Sequence, residues 1–237
     1  MQAPGRRAGA KRDGDHKSPT VRRGKDRRGI GSQGLSRETI AAAAVALIDR
    51  DGLDALSFRR LGEALGCEAM SLYHYFPSKA HLLDAIVDSV FGSLVVPPRS
   101  KDWIGRLRTA ARNYRDMALR HPKLFFLIAV HRMNTPTGVR KVEELVALFR
   151  DGGFDDATAA RLFRQVGYYL NGAILDETAG YAKGPSAAEP VSDAEIARDC
   201  PNLVAVAPYF KSEHFERTFA DGLELLLEGI VRLRKAR

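Results

Sequence analysis

Residues 57 to 79, SFRRLGEALGCEAMSLYHYFPSK, bring together side chains that can hydrogen-bond a nucleic acid. On a helical wheel of about 100° per residue, Leu72 and Phe76 share one edge and should face a core. Three side chains fall on the opposite side and form what we call the reading face: Met70, Ser71 and His74. Tyr73 and Tyr75 lie on the flanks, where a phenol packs its ring on protein and hydrogen-bonds a phosphate oxygen. The pattern is typical of a helix that contacts DNA, although a small amphipathic helix of an ordinary α-domain has the same periodicity.

Two short helices must position these side chains. Ser57 is a favourable N-cap, and three apolar residues at helical spacing follow it: Phe58, Leu61 and Leu65. Gly66 ends this first helix. A second helix of about two turns begins near Ala69 and stops before Pro77, which biases the preceding residue away from helical geometry. The sequence therefore predicts a helix-turn-helix.

The flanking sequence makes the pattern more specific. From Leu35 to Ile86 the chain has, in order, a first helix ending in DG, the run S-x-R-x-L-x-x-x-L-G, then S-L-Y-x-Y-F-P-S-K, then L-L-D. These elements resemble the N-terminal domain of the tetracycline-repressor (TetR) family of bacterial transcription regulators. The resemblance implies an N-terminal three-helix DNA-binding domain.

The resemblance also assigns roles to single residues. It places Arg59 at a base edge, most simply guanine O6 and N7, and His74 in the major groove. Met70 would contact a thymine methyl group, and Ser71 a base or a phosphate. Four residues match positions that hold phosphates in the family: Ser57, Tyr73, Tyr75 and Lys79. The alternative for Arg59 is a solvated basic face.

Composition favours a regulator of moderate size. The chain has 237 residues, of which 45% are hydrophobic, enough for a sizeable core. It has no apolar run of membrane-spanning length and no apolar secretory signal, so we expect no membrane association. Its two cysteines, Cys67 and Cys200, lack metal-ligand or redox spacing, which fits a cytoplasmic protein.

The positive charge is concentrated at the N-terminus. Residues 1 to 34 carry ten Lys or Arg against three Asp, a net charge of +7, whereas the whole chain carries +8. We expect this Gly-rich arm to be disordered when free, because it has almost no apolar side chains to bury. It would contact the DNA backbone or a minor groove by counterion release. The alternative is a solubilising tail.

The remaining sequence predicts an all-α fold, since no segment alternates as a strand does. We expect three regions: a basic arm (1–34), a helix-turn-helix domain (35–82) and a helical effector-binding and dimerisation domain (83–237). Leu124 to His131 is apolar on all sides, which predicts a central core helix. The region 181–201 reads as a mobile loop with a short helix near 193–198. The other predicted helices follow residue 78 as far as Pro97 and span 102–120, 137–150, 156–180 and 212–235.

The last helix favours a homodimer. One of its faces carries a wide apolar surface: Phe215, Phe219, Leu223, Leu226, Ile230 and Leu233. Paired with the helix that carries Gly167, Gly172 and Ala173, it would form half of a four-helix bundle, and the TetR resemblance implies the same arrangement. Two reading units related by a two-fold axis would address half-sites about 34 Å apart.

The C-terminal region resembles the tetracycline-repressor type of effector domain in four segments: 130–136, 142–154, 170–177 and 219–230. His131 and Asp176 match positions that help to hold a drug-bound magnesium ion in tetracycline-binding relatives, so a divalent ion could accompany the effector. The polar drug-binding positions are not reproduced in the fourth helix, which argues against tetracycline itself. Other candidates for the cavity are Tyr114, Tyr168, Tyr169 and Asn171. The alternative for His131 is a core histidine, and for Asp176 it is a surface acid. For the three tyrosines and Asn171 the alternative is plain core packing.

Catalysis has no support in the sequence, because it contains no Gly-rich phosphate loop, HExxH or GxSxG. We therefore expect a regulator, most simply a repressor, that needs no cofactor of its own. Its expected partners are a palindromic double-stranded DNA operator, a small-molecule effector and a second copy of the chain. The alternative is a nonspecific or architectural DNA-binding protein.

Overall fold

The computed structural model describes residues 34–179 and 188–235, and within these ranges it contains helices and no strand. The all-α prediction is therefore confirmed. The helices are α1 (Arg37–Asp51), α2 (Phe58–Leu65), α3 (Ala69–Tyr73), α4 (Lys79–Gly92), α5 (Trp103–Arg120), α6 (Pro122–Val130), α7 (Pro136–Asp151), α8 (Asp156–Ala179), α9 (Asp193–Asp199), α10 (Pro201–Val206) and α11 (Phe215–Lys235). No helix in the described ranges has both the length and the apolar character needed to cross a membrane.

Helices α1 to α3 form the reading unit. The Ser57 hydroxyl caps α2 by accepting a hydrogen bond from the Arg60 backbone N–H at 3.3 Å, as its position in the sequence predicts. Gly66 ends α2 in the left-handed region, at φ 70°, where a side chain would be strained. Leu61, Leu72 and Phe76 are fully buried, which confirms the predicted core edge.

Helix α3 is shorter than the two predicted turns. It has five residues, and its last turn tightens because the Tyr75 N–H donates to the Leu72 carbonyl at 3.0 Å. Pro77 follows at once, and its ring disfavours a further α-helical turn. The reading face is therefore carried by barely one and a half turns of helix.

Helix α4 joins the reading unit to the rest of the chain. It packs against α1 on one side and against α6 and α7 on the other. It ends at Gly92 and not near Pro97, although Leu94 beyond its end is still buried. Ser78 has the extended backbone of an N-cap, but its hydroxyl contacts His81 Nδ1 at 2.8 Å instead of capping the helix.

Helices α5 to α8 and α11 enclose the second, larger part of the core. The prediction that α6 is buried on all sides was wrong, because Phe126 and Val130 are exposed while Leu124, Phe125 and Ile128 are buried. An all-apolar sequence does not distinguish a central helix from one at the side of the core.

Helix α11 closes the bundle against α5 and α8. It begins at Phe215, after a short 3-10 turn at Ser212–His214, and so three residues later than predicted. Its buried side chains are Phe219, Leu223, Leu227 and Ile230. The sequence predicted Leu226 and Leu233 on the apolar face, but Leu227 is buried there instead. Leu226 is half-buried and Leu233 is exposed.

Ion pairs stabilise the packing of α5 against α8 and α11. The buried Arg115 guanidinium of α5 donates to both carboxylate oxygens of Glu177 on α8, at 2.8 and 2.7 Å, and also pairs with Glu216 on α11. Arg108 of α5 makes a bidentate ion pair with Glu224 of α11. A buried charge is tolerated only when it is paired in this way, so these contacts fix how the three helices align.

The segment before α11 is partly helical. The predicted short helix is present as α9, but α10 and the 3-10 turn Ala207–Phe210 were not predicted. Apolar side chains of this segment are exposed: Leu203, Val204, Val206, Tyr209 and Phe210. Residues 1–33 of the predicted basic arm and residues 181–187 of the predicted mobile loop lie outside the described residues. The division of the chain into a basic arm, a helix-turn-helix domain and an effector domain stays a prediction.

Gly62 of α2 offers a test of the reading unit. A Cβ at this position would lie 2.8 Å from the Cys67 carbonyl oxygen and 3.2 Å from the Ala69 nitrogen, both of which are backbone atoms. We expect Gly62→Ala to lower the free energy of unfolding by about 1–3 kcal/mol, because the turn must move to make room. Urea denaturation measures the change.

The matched control is Gly167→Ala in α8, where a Cβ meets nothing within 4 Å. We expect this variant to be as stable as the wild type or to gain up to about 1 kcal/mol from helix propensity. Equal stability of the two variants would contradict the tight approach of α2 to the turn.

Candidate DNA-reading surface and ligand cavity

Arg59 projects from the first helical turn of α2 into solvent. Its side chain is 82% exposed, and its only ion pair with a described residue is a 3.8 Å contact with Glu63. The neighbouring Arg60 is held by Asp51 at 2.5 Å. Of the two arginines, Arg59 is therefore the one whose guanidinium is available to a base edge.

Of the three reading-face residues, Met70 and Ser71 lie on α3 and His74 directly follows it. Met70 is 68% exposed, His74 is exposed and Ser71 is half-buried. The exposed thioether of Met70 can offer apolar contact to a thymine methyl group, and the imidazole of His74 can donate or accept a hydrogen bond. All three residues are thus at least partly accessible at the surface of the reading unit.

The two flanking tyrosines differ. The Tyr73 ring stacks on Phe58 with ring centroids 4.4 Å apart, and its side chain remains partly exposed. The Tyr75 hydroxyl donates to the Leu35 carbonyl at 3.0 Å. Because a phenol has a single proton to donate, Tyr75 would have to break this bond to hold a phosphate.

The other two phosphate candidates flank α2 and α4. Ser57 uses a lone pair to cap α2, which leaves its hydroxyl proton for a phosphate oxygen. Lys79 is exposed at the first position of α4.

Sequence reasoning overlooked Arg37, which donates to the Tyr75 carbonyl and lies over the Phe76 ring, 4.3 Å from its centroid. The sequence did contain a signal for Arg37, namely a basic residue at the start of α1.

The helical bundle contains a cavity of about 660 Å³, within the usual range of small-molecule sites. Side chains of α5, α7 and α8 line most of it, together with the ends of α4 and α6 and the loop that follows α6. Four of the sequence candidates are among the lining residues: Tyr114, His131, Tyr168 and Asn171. The sequence did not point to Arg132, Met133 or Arg164, which also line it.

A hydrogen bond orders the polar side of the cavity. The Tyr114 hydroxyl donates to Asn171 Oδ1 at 2.9 Å. Burial raises the pKa of Tyr114 far above its usual range, because the apolar surroundings disfavour the phenolate. Tyr114 therefore keeps its proton, and the side-chain amide of Asn171 retains its N–H groups for a ligand.

The loop between α6 and α7 is tied to α4. His131 Nε2 lies 2.8 Å from Asp84 Oδ1, and the Thr135 hydroxyl donates to Asp88. Because His131 and Met133 also line the cavity, a ligand would touch the same loop that contacts α4. The cavity wall and the helix that carries the reading unit are therefore mechanically connected.

Tyr169 and Asp176 do not reach the cavity of their own chain. The Tyr169 hydroxyl donates to the Phe219 carbonyl at 2.6 Å, in a space left open by Gly222, where a Cβ would lie 2.5 Å from that hydroxyl. Asp176 is exposed on the side of α8 opposite to Gly167 and Asn171. Helical spacing directs both residues away from the cavity.

The lining does not suit the divalent ion that tetracycline-binding relatives would imply. Among the described residues the lining contains no carboxylate, and its histidine contacts Asp84. In the described part of the chain no group of three or more His, Cys, Asp or Glu could hold a metal. Magnesium prefers oxygen ligands with at least one or two carboxylates, and the cavity of a single chain does not supply them.

Known proteins match both halves of the chain. Residues 40–86 match the family model described as bacterial regulatory proteins of the tetR family, and residues 96–234 match the tetracyclin repressor-like C-terminal domain. The class A tetracycline repressor protein from transposon 1721 of Escherichia coli is 27% identical over 203 residues, which cover 84% of this chain and 92% of that repressor.

Solved structures agree in fold. A possible TetR family transcriptional regulator from Streptomyces coelicolor A3(2) has a TM-score of 0.70 and 32% identity, covering 85% of this chain and all (100%) of that one. The Streptomyces coelicolor TetR family protein ActR, in complex with actinorhodin, has a TM-score of 0.69 and 27% identity, covering 85% of this chain and 99% of that one.

Arg59→Ala tests the reading surface. On a DNA sequence that the wild-type protein selects from a random pool, we expect a loss of about 1–3 kcal/mol and relaxed preference at one base position. Titration of labelled DNA by fluorescence anisotropy measures both. Arg217→Ala in α11, where the arginine is 85% exposed, is the matched control and should leave the affinity unchanged. Equal affinities of the Arg59 variant and the wild type would remove Arg59 from the contact surface.

Proposed function

Because this chain belongs to the TetR family of bacterial regulatory proteins, we propose that it is a repressor that binds a palindromic operator as a homodimer and leaves it when a small molecule enters the cavity. The chain is a ligand-responsive DNA-binding regulator, as the family match and the ligand-bound ActR structure support. The operator symmetry, the dimer and the direction of the response are the proposed parts.

One observation carries the proposal. The chain combines an exposed DNA-reading surface with an apolar ligand cavity, and α4, which follows the reading unit, is contacted at Asp84 and Asp88 by the loop that lines the cavity. A ligand that moves this loop would therefore change how α4 and the reading unit are held.

The coupling is a population shift between two arrangements of α4. A ligand changes operator affinity only if it binds one arrangement better than the other. In a dimer, a small rotation of α4 in each chain changes the distance between the two reading units. Both units then lose register with half-sites that lie about one turn of DNA apart, so a local movement becomes release from DNA.

Helices α8 and α11 support the dimer. Their outward sides carry small or apolar residues: Gly172, Leu225, Gly229 and Leu233. A Cβ at Gly172 or Gly229 would meet no atom of the described residues within 4 Å, so a neighbouring helix has room to approach. Two such helix pairs can form a four-helix bundle about a two-fold axis.

Selection of bound sequences from a random DNA pool tests the function directly. A dimeric repressor should enrich a palindrome, with half-sites about 34 Å apart, and should keep a large affinity ratio over random DNA as the salt concentration rises. No enriched motif together with a steep salt dependence would instead identify a nonspecific DNA-binding protein. Screening for compounds that release the selected DNA then tests the effector response.

Leu225→Glu tests the dimer. Leu225 is 73% exposed, so the substitution should not disturb the fold of the single chain, but a charge there would be buried in the proposed interface. We expect a monomer by analytical ultracentrifugation and an affinity for the palindrome reduced at least about 100-fold. Leu119→Glu, at an exposed leucine of α5, is the control and should stay dimeric. A dimeric Leu225 variant would place the interface elsewhere.

A further inference from the structure

The cavity lining carries positive charge that its own chain does not neutralise. In the part of the chain that the structure describes, its basic side chains are His131, Arg132 and Arg164, and no carboxylate lines it. Arg132 and Arg164 have no acidic partner among the described residues, and Arg164 donates to the Tyr168 hydroxyl at 3.0 Å and lies over the ring of the same tyrosine. By contrast, each of the nearby arginines of α5 that face the bundle pairs with a carboxylate: Arg106, Arg108 and Arg115.

This difference indicates the charge of the ligand. Two guanidinium groups beside an apolar cavity repel a cationic ligand and attract an anion. A guanidinium also offers paired N–H donors that match a carboxylate. The histidine adds little to this field, because it already faces the carboxylate of Asp84 at 2.8 Å.

The shape of the lining indicates the body of the ligand. Five aromatic rings surround the cavity: Phe91, Tyr114, Phe149, Phe163 and Tyr168. Aromatic side chains bind flat aromatic molecules by stacked or edge-to-face contacts. A volume of about 660 Å³ accommodates several fused rings.

Asn171 adds a directional contact. Its Oδ1 accepts the Tyr114 proton at 2.9 Å, so the pair orients the amide and leaves Nδ2 to donate. The acceptor on the ligand would be a ring carbonyl or a similar oxygen. The cavity therefore offers an N–H donor on α8, flat apolar walls and two cationic groups.

We propose that the effector is a planar, fused-ring organic anion that binds directly, without a divalent ion, with its charged group at Arg132 and Arg164 and a ring oxygen at Asn171. The inference rests on the proposed function, because it names the chemical class of the effector. It replaces the metal-chelate ligand that tetracycline-binding relatives imply, since the donor set for that metal is missing from the lining.

The alternative is a metal chelate completed by the second chain. Asp176 lies on the outward side of α8, the side proposed for the dimer interface, so a partner copy could bring a carboxylate towards the cavity. The experiment therefore uses the full-length protein, and it varies both the metal and Asp176.

Isothermal titration calorimetry on the DNA-free protein compares two probes, anthraquinone-2-carboxylate and the uncharged anthraquinone-2-carboxamide. We expect the carboxylate to saturate at one molecule per chain and to bind at least about tenfold more tightly than the carboxamide, the effect of one charge-assisted hydrogen bond. Its affinity should be the same in EDTA and in magnesium chloride, and the same in the Asp176→Asn variant.

Charge-neutralising variants locate the anion. In the double variant Arg132→Gln, Arg164→Gln, the affinity for the carboxylate should fall at least about tenfold, while the carboxamide binds as before. Both arginines are exposed, so the variant should fold, and the unchanged carboxamide affinity verifies this. Arg217→Gln on α11 is the control and should bind both probes like the wild type.

Other outcomes would overturn the inference. These are equal affinities for the two probes, no binding of either, an unaltered carboxylate affinity in the double variant, or binding that needs magnesium and Asp176. All are measured without DNA, so they are independent of whether the protein selects a palindrome. A failed selection would count against the proposed function, and a failed titration against the ligand class.

Discussion

The packing of α4 is the constraint on which the rest of the structure depends. One side of this helix is buried against α1, and the other meets α6 and α7. Leu82, Ile86 and Val87 belong to one continuous core that extends from the reading unit into the bundle, so the orientation of α3 is not independent of the larger domain. Apolar packing holds the helix in place but is not directional. The polar contacts at Asp84 and Asp88 determine how the helix is aligned with the loop beside the cavity.

The reading unit could be predicted almost completely from the sequence, because local signals determine it. Ser57 caps α2, Gly66 ends it and Pro77 limits α3, and each of these effects acts within a few residues. The length of α3 was overestimated because the change to a tighter last turn leaves no mark in the apolar pattern. Whether Tyr75 is available to a phosphate was equally hidden, since its hydroxyl bonds to the Leu35 carbonyl 40 residues earlier.

The cavity was less predictable, because its residues come from five helices whose arrangement depends on tertiary contacts. His131 was found through family resemblance and Tyr114 and Asn171 were further candidates, whereas Arg132 and Arg164 have no distinctive local pattern. Periodicity also failed for α6, where an apolar sequence predicted burial that Phe126 and Val130 do not have. The Arg115 network with Glu177 and Glu216 joins positions 62 and 101 residues apart, a pairing that one sequence does not reveal.

The separation of the cavity from the DNA-reading surface has an evolutionary consequence. The loop from His131 to Thr135 contacts α4 at Asp84 and Asp88, and Phe91 at the end of α4 lines the cavity, whereas Met70 and His74 lie outside the cavity lining. Substitutions in α7 and α8 can therefore alter which molecules the cavity accepts without touching the DNA surface, and changes around Met70 and His74 can alter the DNA target without touching the cavity. The two specificities can drift separately in descendants of this chain, provided that Asp84 and Asp88 keep their partners.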